Sequence, residues 1–245
     1  MLLHGLLGSA RNLSTLARLL SSRHPEFSVV AFDLPGHGAS PPLPPGADSD
    51  LLARDVLAAA ATVGVAPPLA LVGHSLGGRV ALRVAQREPT AVASVTLLDI
   101  APGPLAAGGE VSRVLDTLLA APDVVASRAD ARAFLVGAGL GPALVEWLLL
   151  SLESSDGGYR WKADRGALAA LHTRIAAEDL WPAVEGRHDY AVRCIRGGAS
   201  GYVGDADARR LQAAGCPVVT VDGAGHFLHA ERPDAVADAV LASLA

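Results

Sequence analysis

The sequence has few of the residues that mark several large classes of protein. Only 4% of its 245 residues are aromatic, and its two cysteines, Cys194 and Cys216, are too few for a disulfide framework in a chain of this length. The formal net charge is -5, and no basic run is longer than two adjacent residues. Because nucleic-acid binding depends on clustered positive charge, these features argue against a nucleic-acid partner.

Long apolar segments and motifs for metal or cofactor binding are also missing. A membrane helix needs roughly 18 or more consecutive apolar residues, whereas the best candidate, residues 143–152, is short and contains Glu146. The first residues are apolar but lack a basic flank and break at His4 and Gly5, unlike a signal peptide. The sequence has no zinc-type spacing of His and Cys, no G-x-G-x-x-G after a strand and no P-loop. We therefore expect a cytoplasmic protein that uses no metal and no cofactor.

What the sequence does contain is apolar residues in alternating strand and helix patterns. Hydrophobic residues make up 51% of the chain and charged residues 18%, which is enough to bury a sizeable core. Short apolar runs predict strands at residues 27–32, 69–72, 92–100, 190–195 and 217–221. Helical spacing predicts helices at residues 13–22, 51–63, 79–87, 206–213 and 233–244. Apolar strands that alternate with helices indicate an α/β fold with a mostly parallel, doubly wound sheet.

The region from residue 104 to residue 185 interrupts this alternation. It is rich in alanine, it lacks β-branched runs, and residues 159–161 could form a short ribbon. Helical patterns occur in it at residues 111–119, 129–135, 142–152 and 165–177. A helical insert between two strands of a parallel sheet is typical of a cap over a binding site. We therefore divide the chain into a core, residues 1–103 and 186–245, and a helical cap insertion, residues 104–185.

The sequence GHSLGG at residues 73–78 lies between a predicted strand and a predicted helix. In this setting G-x-S-x-G is typical of a nucleophile elbow, where small residues allow a strained turn that exposes the serine hydroxyl. The pattern alone is a weak signal, because Ser75 in a glycine-rich turn could simply cap the following helix. The strand before it and the helix after it favour a nucleophile.

His226 is the candidate base for this serine. A serine hydroxyl is a poor nucleophile at neutral pH, so it needs a base that a carboxylate orients. After a nucleophile elbow the expected chain order is serine, acid, histidine. His226 follows the last predicted strand, Gly223 and Gly225 allow the loop to turn sharply, and the ordinary pKa of histidine suits a base.

Several motifs together resemble those of the alpha/beta-hydrolase superfamily. They are HGLLG at residues 4–8, DLPGHGAS at 33–40, GHSLGG at 73–78 and GH at 225–226. They follow the family's order and span almost the whole chain. Within the superfamily the sequence is most similar to small capped esterases and thioesterases. This narrower similarity rests on DIAP at residues 99–102 and on residues 197–203 and 225–233.

The resemblance bears on the acid that would orient the histidine. Many family members carry it after the strand predicted here at 190–195, where this chain has Ala199-Ser200. Asp205 and Asp207 come later, at the predicted start of a helix, where the helix dipole is a sufficient reason for an acidic residue. In the esterase branch the acid follows the strand after the elbow unit, which is the position of Asp99. We favour Asp99 over Asp205 and give Asp207 little weight.

The resemblance further implies a serine hydrolase that cleaves a carboxylic ester or thioester of a small-molecule acyl substrate through an acyl-enzyme on Ser75. The backbone N–H groups of Leu6 and Leu76 would form the oxyanion hole. A serine at position 75 argues against dehalogenase or epoxide hydrolase chemistry. Carbon–carbon bond hydrolysis, perhydrolysis, lyase chemistry and a non-catalytic binding role remain as alternatives. We expect a monomer or a homodimer.

One departure from the family concerns the edge of the sheet. Family members usually have two antiparallel strands before the His-Gly loop, whereas here Met1 stands three residues before His4. Three explanations stay open: the start has been assigned too late, the sequence is truncated, or the edge of the sheet is missing. In each case we expect a sheet without these N-terminal edge strands.

Overall fold

The structure is a computed structural model that describes residues 1–105, 108 and 110–242. Nine strands occur in these ranges: β1 (Leu2–Leu3), β2 (Ala31–Phe32), β3 (Leu69–His74), β4 (Val92–Leu98), β5 (Val124–Val125), β6 (Leu152–Ser155), β7 (Gly158–Trp161), β8 (Ala191–Gly197) and β9 (Val218–Val221). Six of them form one sheet in the order β2-β1-β3-β4-β8-β9, and every neighbouring pair in it is parallel. The other three form an antiparallel sheet in the order β5-β7-β6.

Helices connect the parallel strands and cover them. In chain order they are α1 (Ser14–Arg23), α2 (Ser49–Thr62), α3 (Leu76–Arg87), α4 (Glu110–Ala120), α5 (Arg128–Gly137), α6 (Pro142–Leu149), α7 (Arg165–Ala176), α8 (Asp205–Ala213), α9 (Leu228–Glu231) and α10 (Pro233–Leu241). Residues 243 and 244 of the last predicted helix lie outside the described residues. Among the helices described, none combines the length and the hydropathy that a membrane span requires.

The sheet is buried on both faces, which confirms the predicted doubly wound architecture. Successive residues of a strand point to opposite faces, and the pair Leu71 and Val72 in β3 is buried on both sides. Leu71 packs in the cluster that contains residues of α2, α3 and α8, while Val72 packs in the cluster that contains residues of α1 and α10. Such two-sided burial is the reason that the predicted strands are continuously apolar.

The strand predicted at residues 27–32 is shorter than expected. Only Ala31–Phe32 pairs as a strand, next to β1. The N–H of Phe27 donates to the carbonyl of His24 in a turn, and the Phe27 side chain is exposed. The length of the strand was overestimated because the first residues of the apolar run belong to a surface turn.

The segment between β4 and β8 is not wholly helical, which corrects the expectation of an all-helical insert and confirms the short ribbon expected at residues 159–161. Besides α4 to α7 it contains the antiparallel sheet, and it has an apolar cluster of its own. The sequence did carry the signals for this sheet. Asp156 and Gly157 join β6 to β7, with Gly157 at φ 84°, and Asp-Gly is typical of a two-residue hairpin turn. Val124–Val125 is the short β-branched pair that forms β5.

The helix α3 packs so closely on the end of β1 that one position has room only for glycine. A Cβ atom at Gly77 would lie 2.3 Å from the carbonyl oxygen of Leu3 and 2.8 Å from that of His4. Both atoms belong to the backbone, so neither can move without displacing the loop after β1. The glycines of the elbow motif therefore set the distance between α3 and this loop.

We predict that Gly77→Ala destabilises the fold by about 3 kcal/mol, the upper range for overpacking a core. The matched control is Gly137→Ala at the end of α5, where no atom lies within 4 Å of the added Cβ, so its stability should stay close to that of the wild type. Chemical denaturation measures both. Equal midpoints for the two variants would show that the close contact is not a constraint.

Candidate active site

Ser75 occupies a strained turn at the carboxyl end of β3. Its backbone has φ 52° and ψ -114°, a combination that non-glycine residues rarely adopt. The surrounding main chain holds it there, because the Ser75 N–H donates to the carbonyl of Leu98 (3.1 Å) and the Ser75 carbonyl accepts from the N–H of Gly78 (3.0 Å). Strain of this kind costs of order 1–3 kcal/mol and persists where the fold enforces it. The geometry is that of the predicted nucleophile elbow.

Asp99 follows the neighbouring strand β4 and is completely buried. A buried carboxylate is tolerable only when donors surround it. Its Oδ1 accepts from the N–H of Gly197 (2.9 Å), and its Oδ2 accepts from the hydroxyl of Ser200 and from Nδ1 of His226 (2.8 Å). The structure therefore brings together the predicted acid and the predicted base, which are 127 positions apart in the sequence.

The imidazole of His226 is held by a hydrogen bond at its edge and by an aromatic ring stacked on one of its faces. Because the Asp99 carboxylate accepts a hydrogen bond from Nδ1–H, the Nε2 atom of neutral His226 is left as the basic nitrogen. The ring stacks on Tyr202 with a centroid separation of 3.7 Å and an interplanar angle of 18°. The carbonyl of His226 accepts from Nε2 of His74 at 2.9 Å, which ties the loop to the elbow.

Two further histidines surround His226 and stay neutral. The His74 ring lies 4.6 Å from that of His226 and 4.4 Å from that of His229. Burial and the neighbouring imidazoles hold the pKa of His74 well below its usual value and lower the pKa of His229 to about 4. His226 is thus the member of this cluster that contacts a carboxylate.

The loop after β1 lies opposite the elbow and is held by hydrogen bonds of its own. The Gly8 N–H donates to the Gly5 carbonyl (3.0 Å), and Leu7 has a φ of 62° in this tight turn. His4 braces the loop, since its Nε2 accepts from the Leu34 N–H (3.0 Å) and its Nδ1 donates to Gly5 (2.8 Å). Burial lowers the pKa of His4, in keeping with this neutral form.

Leu6 and Leu76 are the two residues whose N–H groups are predicted to bind an oxyanion. Within the described part of the chain, neither N–H donates to a protein acceptor. Leu76 is the first residue of α3, so it has no acceptor within its helix. Both groups remain available to a ligand.

A small cavity of about 40 Å³ opens onto Ser75 and His226. Among the described residues that line it, there is no Asp, Glu, Lys or Arg. Its apolar walls come from the loop after β1, from the insert and from the His226 loop, and include Leu6, Leu7, Val111, Val114, Leu144, Trp147 and Phe227. A site of this kind favours an uncharged, apolar group.

The alternative acids lie elsewhere. Asp205 and Asp207 are in the first turn of α8, as the sequence suggested. Asp205 accepts from Nη1 of Arg196 (2.9 Å) with its side chain 77% exposed, and this hydrogen bond lowers the pKa of Asp205. No contact between Asp205 and His226 occurs in the described residues.

Two residues near His226 were missed by the sequence reasoning. Ser200 takes the position after the paired glycines where many family members carry the acid, and Tyr202 stacks on the imidazole. The signal for Ser200 was present, because the resemblance had already marked residue 200 as a departure. Nothing in the spacing indicated the role of Tyr202. In the part of the chain that the structure covers, no cluster of three His, Cys, Asp or Glu residues suits a metal ion.

The chain is similar to known proteins over almost its whole length. The chain matches the alpha/beta hydrolase family over residues 1–239. The chain belongs to the alpha/beta hydrolase family. It is 31% identical to the lipase LipV of Mycobacterium tuberculosis, over 99% of this chain and 91% of that protein. It is 28% identical to the sn-1-specific diacylglycerol lipase ABHD11 of Mus musculus, over 99% of this chain and 80% of that protein.

A solved structure extends the likeness to the fold. A marine microorganism esterase superimposes with a TM-score of 0.85 at 24% identity, covering 98% of this chain and 92% of that one. The resemblance inferred from the sequence motifs is therefore confirmed at the level of the family and the fold.

We predict that Ser200→Ala lowers kcat/KM for a p-nitrophenyl ester about tenfold, because a hydrogen bond to a charged group contributes roughly 1.5 kcal/mol or more. Ser200→Thr keeps the hydroxyl and should retain most of the activity. Ser22→Ala is the control, since that exposed hydroxyl bonds only to the carbonyl of Leu19 in its own helix. Full activity of Ser200→Ala would show that Asp99 does not depend on this donor.

We also predict a loss of stability on acidification that can be traced to His229. Its pKa falls from an ordinary 6.5 to about 4 on folding, so below pH 6.5 the unfolded chain binds more protons than the folded one. Stability should therefore fall as the pH drops from 6.5 towards 4, by about 2 kcal/mol from this group at pH 5. Denaturation of His229→Met should show a shallower pH dependence, while His24→Gln, at an exposed histidine, should keep the wild-type slope. Identical slopes for all three proteins would refute the assignment.

Proposed function

We propose that this member of the alpha/beta hydrolase family is a serine hydrolase that cleaves a carboxylic ester or thioester through an acyl-enzyme on Ser75. The observation that carries the proposal is the 2.8 Å contact between Asp99 Oδ2 and His226 Nδ1 at a cavity that also exposes Ser75. The three side chains follow three strands at one edge of the sheet, where ligands bind in parallel α/β folds.

In the proposed mechanism His226 Nε2 removes the proton of the Ser75 hydroxyl as its oxygen attacks the acyl carbon. Asp99 stabilises the imidazolium that forms. The N–H groups of Leu6 and Leu76 bind the oxyanion, each donor contributing about 3 kcal/mol to transition-state stabilisation. His226 then returns the proton to the leaving alcohol or thiol, and water releases the acyl group by the same steps.

The proposed substrate is an uncharged acyl ester. The described residues that line the cavity carry no charged side chain, which supports this, because a buried charge without a partner is costly. The relatives are a lipase and a diacylglycerol lipase by name, which favours ester hydrolysis over the carbon–carbon, perhydrolase and lyase alternatives.

We further propose that residues 104–185 act as the cap of the site and that residues 1–103 and 186–245 act as the catalytic core. The contribution of Val111, Val114 and Leu144 to the cavity supports this division. We propose a cytoplasmic location and a monomeric or homodimeric state. Support for the location comes from the cysteines, which are both free and buried, as expected in a reducing compartment.

We predict that Ser75→Ala abolishes hydrolysis of a short p-nitrophenyl ester and also abolishes labelling by a fluorophosphonate probe. Asp99→Asn should lower kcat by about 10⁴, because the imidazole loses its orienting partner. Asp205→Asn is the matched control and should keep its activity, since Asp205 contacts Arg196 on the surface.

Two outcomes would contradict the proposal. A folded wild-type protein that is never labelled at Ser75 would favour a non-catalytic binding role. Loss of activity in Asp205→Asn but not in Asp99→Asn would move the acid to α8.

A further inference from the structure

Arg79 is a charged residue buried in the first turn of the elbow helix α3. It lies four positions after Ser75, and its N–H donates to the Ser75 carbonyl at 3.3 Å. Its side chain is 1% exposed. Burial lowers the pKa of Arg79 to about 10, so the guanidinium stays charged at neutral pH. The proposed chemistry at Ser75 and His226 does not use this charge.

The guanidinium donates to two groups of backbone carbonyls that lie far apart in the sequence. Nη1 contacts the carbonyls of Ala101 (3.2 Å), Pro102 (3.4 Å) and Gly103 (2.7 Å). Nη2 contacts the carbonyls of Ile175 (2.9 Å) and Glu178 (2.6 Å). The first group belongs to the chain that enters the insert, and the second belongs to the end of α7, where the chain leaves it.

We call these two crossing segments, residues 101–105 and 175–180, the neck. The segments also bond to each other, through the Leu105 N–H to Ala176 (2.8 Å) and the Leu180 N–H to Pro102 (2.9 Å). One turn further along α3, Arg83 pairs with the Glu178 carboxylate at 3.0 Å. The neck is thus held to α3 by two arginines, of which Arg79 is the one that contacts both segments.

The neck joins the core of the fold to the insert, and the insert forms part of the wall of the cavity. The elbow and the loop after β1 form its floor, whereas Val111, Val114 and Leu144 of the insert form part of its wall. Because the cavity has a volume of only about 40 Å³, we expect the groups that fit it to depend on where the insert lies. Close-packed protein interiors have low compressibility and transmit displacements. We therefore expect the position of the neck to affect the position of the cavity wall.

We propose that Arg79 is a positioning residue that holds the insert at a set distance from Ser75 and thereby determines which acyl groups fit. An arginine suits this role because its planar fork presents donors in two directions. A lysine has one ammonium and cannot serve both groups of carbonyls with the same geometry.

The test compares Arg79→Met, Arg79→Lys and Arg165→Met on p-nitrophenyl acetate and p-nitrophenyl hexanoate. Arg165 is the matched control, because it also donates to carbonyls, those of Leu118 (2.5 Å) and Ala121 (2.7 Å), but lies wholly within the insert. The readout is the ratio of the two kcat/KM values, which does not depend on the fraction of folded enzyme.

We expect Arg79→Met to change this ratio about tenfold, the size of effect seen when a pocket loses its fit to a methylene group. The change should lie mainly in KM for the hexanoate. Arg79→Lys should be intermediate, and Arg165→Met should keep the wild-type ratio even if its melting temperature falls. A wild-type ratio in Arg79→Met would overturn the proposal, because a merely structural role lowers stability without altering selectivity.

Hydrogen–deuterium exchange on the same proteins separates this inference from the proposed hydrolase function. We expect faster exchange at residues 101–105 and 175–180 in Arg79→Lys, with β3 unchanged. If the wild type cleaves neither ester, the hydrolase proposal fails while the exchange data still decide the role of Arg79. If Arg79→Met does not fold, the selectivity ratio and the exchange of Arg79→Lys decide it, and wild-type values for both would overturn the role.

Discussion

The burial of one carboxylate dictates much of the site. Asp99 is fully enclosed, and its three donors come from the end of β8, from the loop after it and from the loop after β9. These donors meet only if β4, β8 and β9 are adjacent and parallel, with their carboxyl ends at one edge. The sheet order and the position of His226 are therefore parts of the same constraint. A slip in the register of β8 would leave a buried charge without partners, which costs several kcal/mol.

Backbone strain is concentrated at this edge of the sheet. Among the described residues, three non-glycine residues have a positive φ, and they are Leu7, Ser75 and Asp99. Each follows a different strand, and each belongs to a different part of the proposed machinery. The close packing at Gly77 and the hydrogen bonds of His4 and His74 restrain the elbow and the loop after β1, and the Asp99 N–H donates to the carbonyl of Ile195.

The fold and the strand, glycine-rich turn and helix around Ser75 were predictable because they depend on local patterns and on chain order. The contact between Asp99 and His226 was expected from the resemblance to the esterase branch, in which the acid follows the strand after the elbow unit. The resemblance marked residue 200 as a departure, but the contacts of Ser200 and Tyr202 with Asp99 and His226 were not predicted, since they depend on how one loop folds over another. Of the sheet β5-β7-β6, the ribbon at residues 159–161 was expected, but β5 and β6 were missed because they are short, although Asp156-Gly157 gave a turn signal.

The neck has a consequence for how sequences of this fold can change. Arg79 contacts main-chain carbonyls, and every residue has such a carbonyl whatever its side chain is. The contact therefore places few demands on the sequence of the insert. The sequence between residue 105 and residue 175 can change as long as the two segments of the neck keep their positions against α3. Substrate range, which depends on the insert, can then evolve separately from reaction chemistry, which depends on the core. Arg79 is the side chain that connects these two parts.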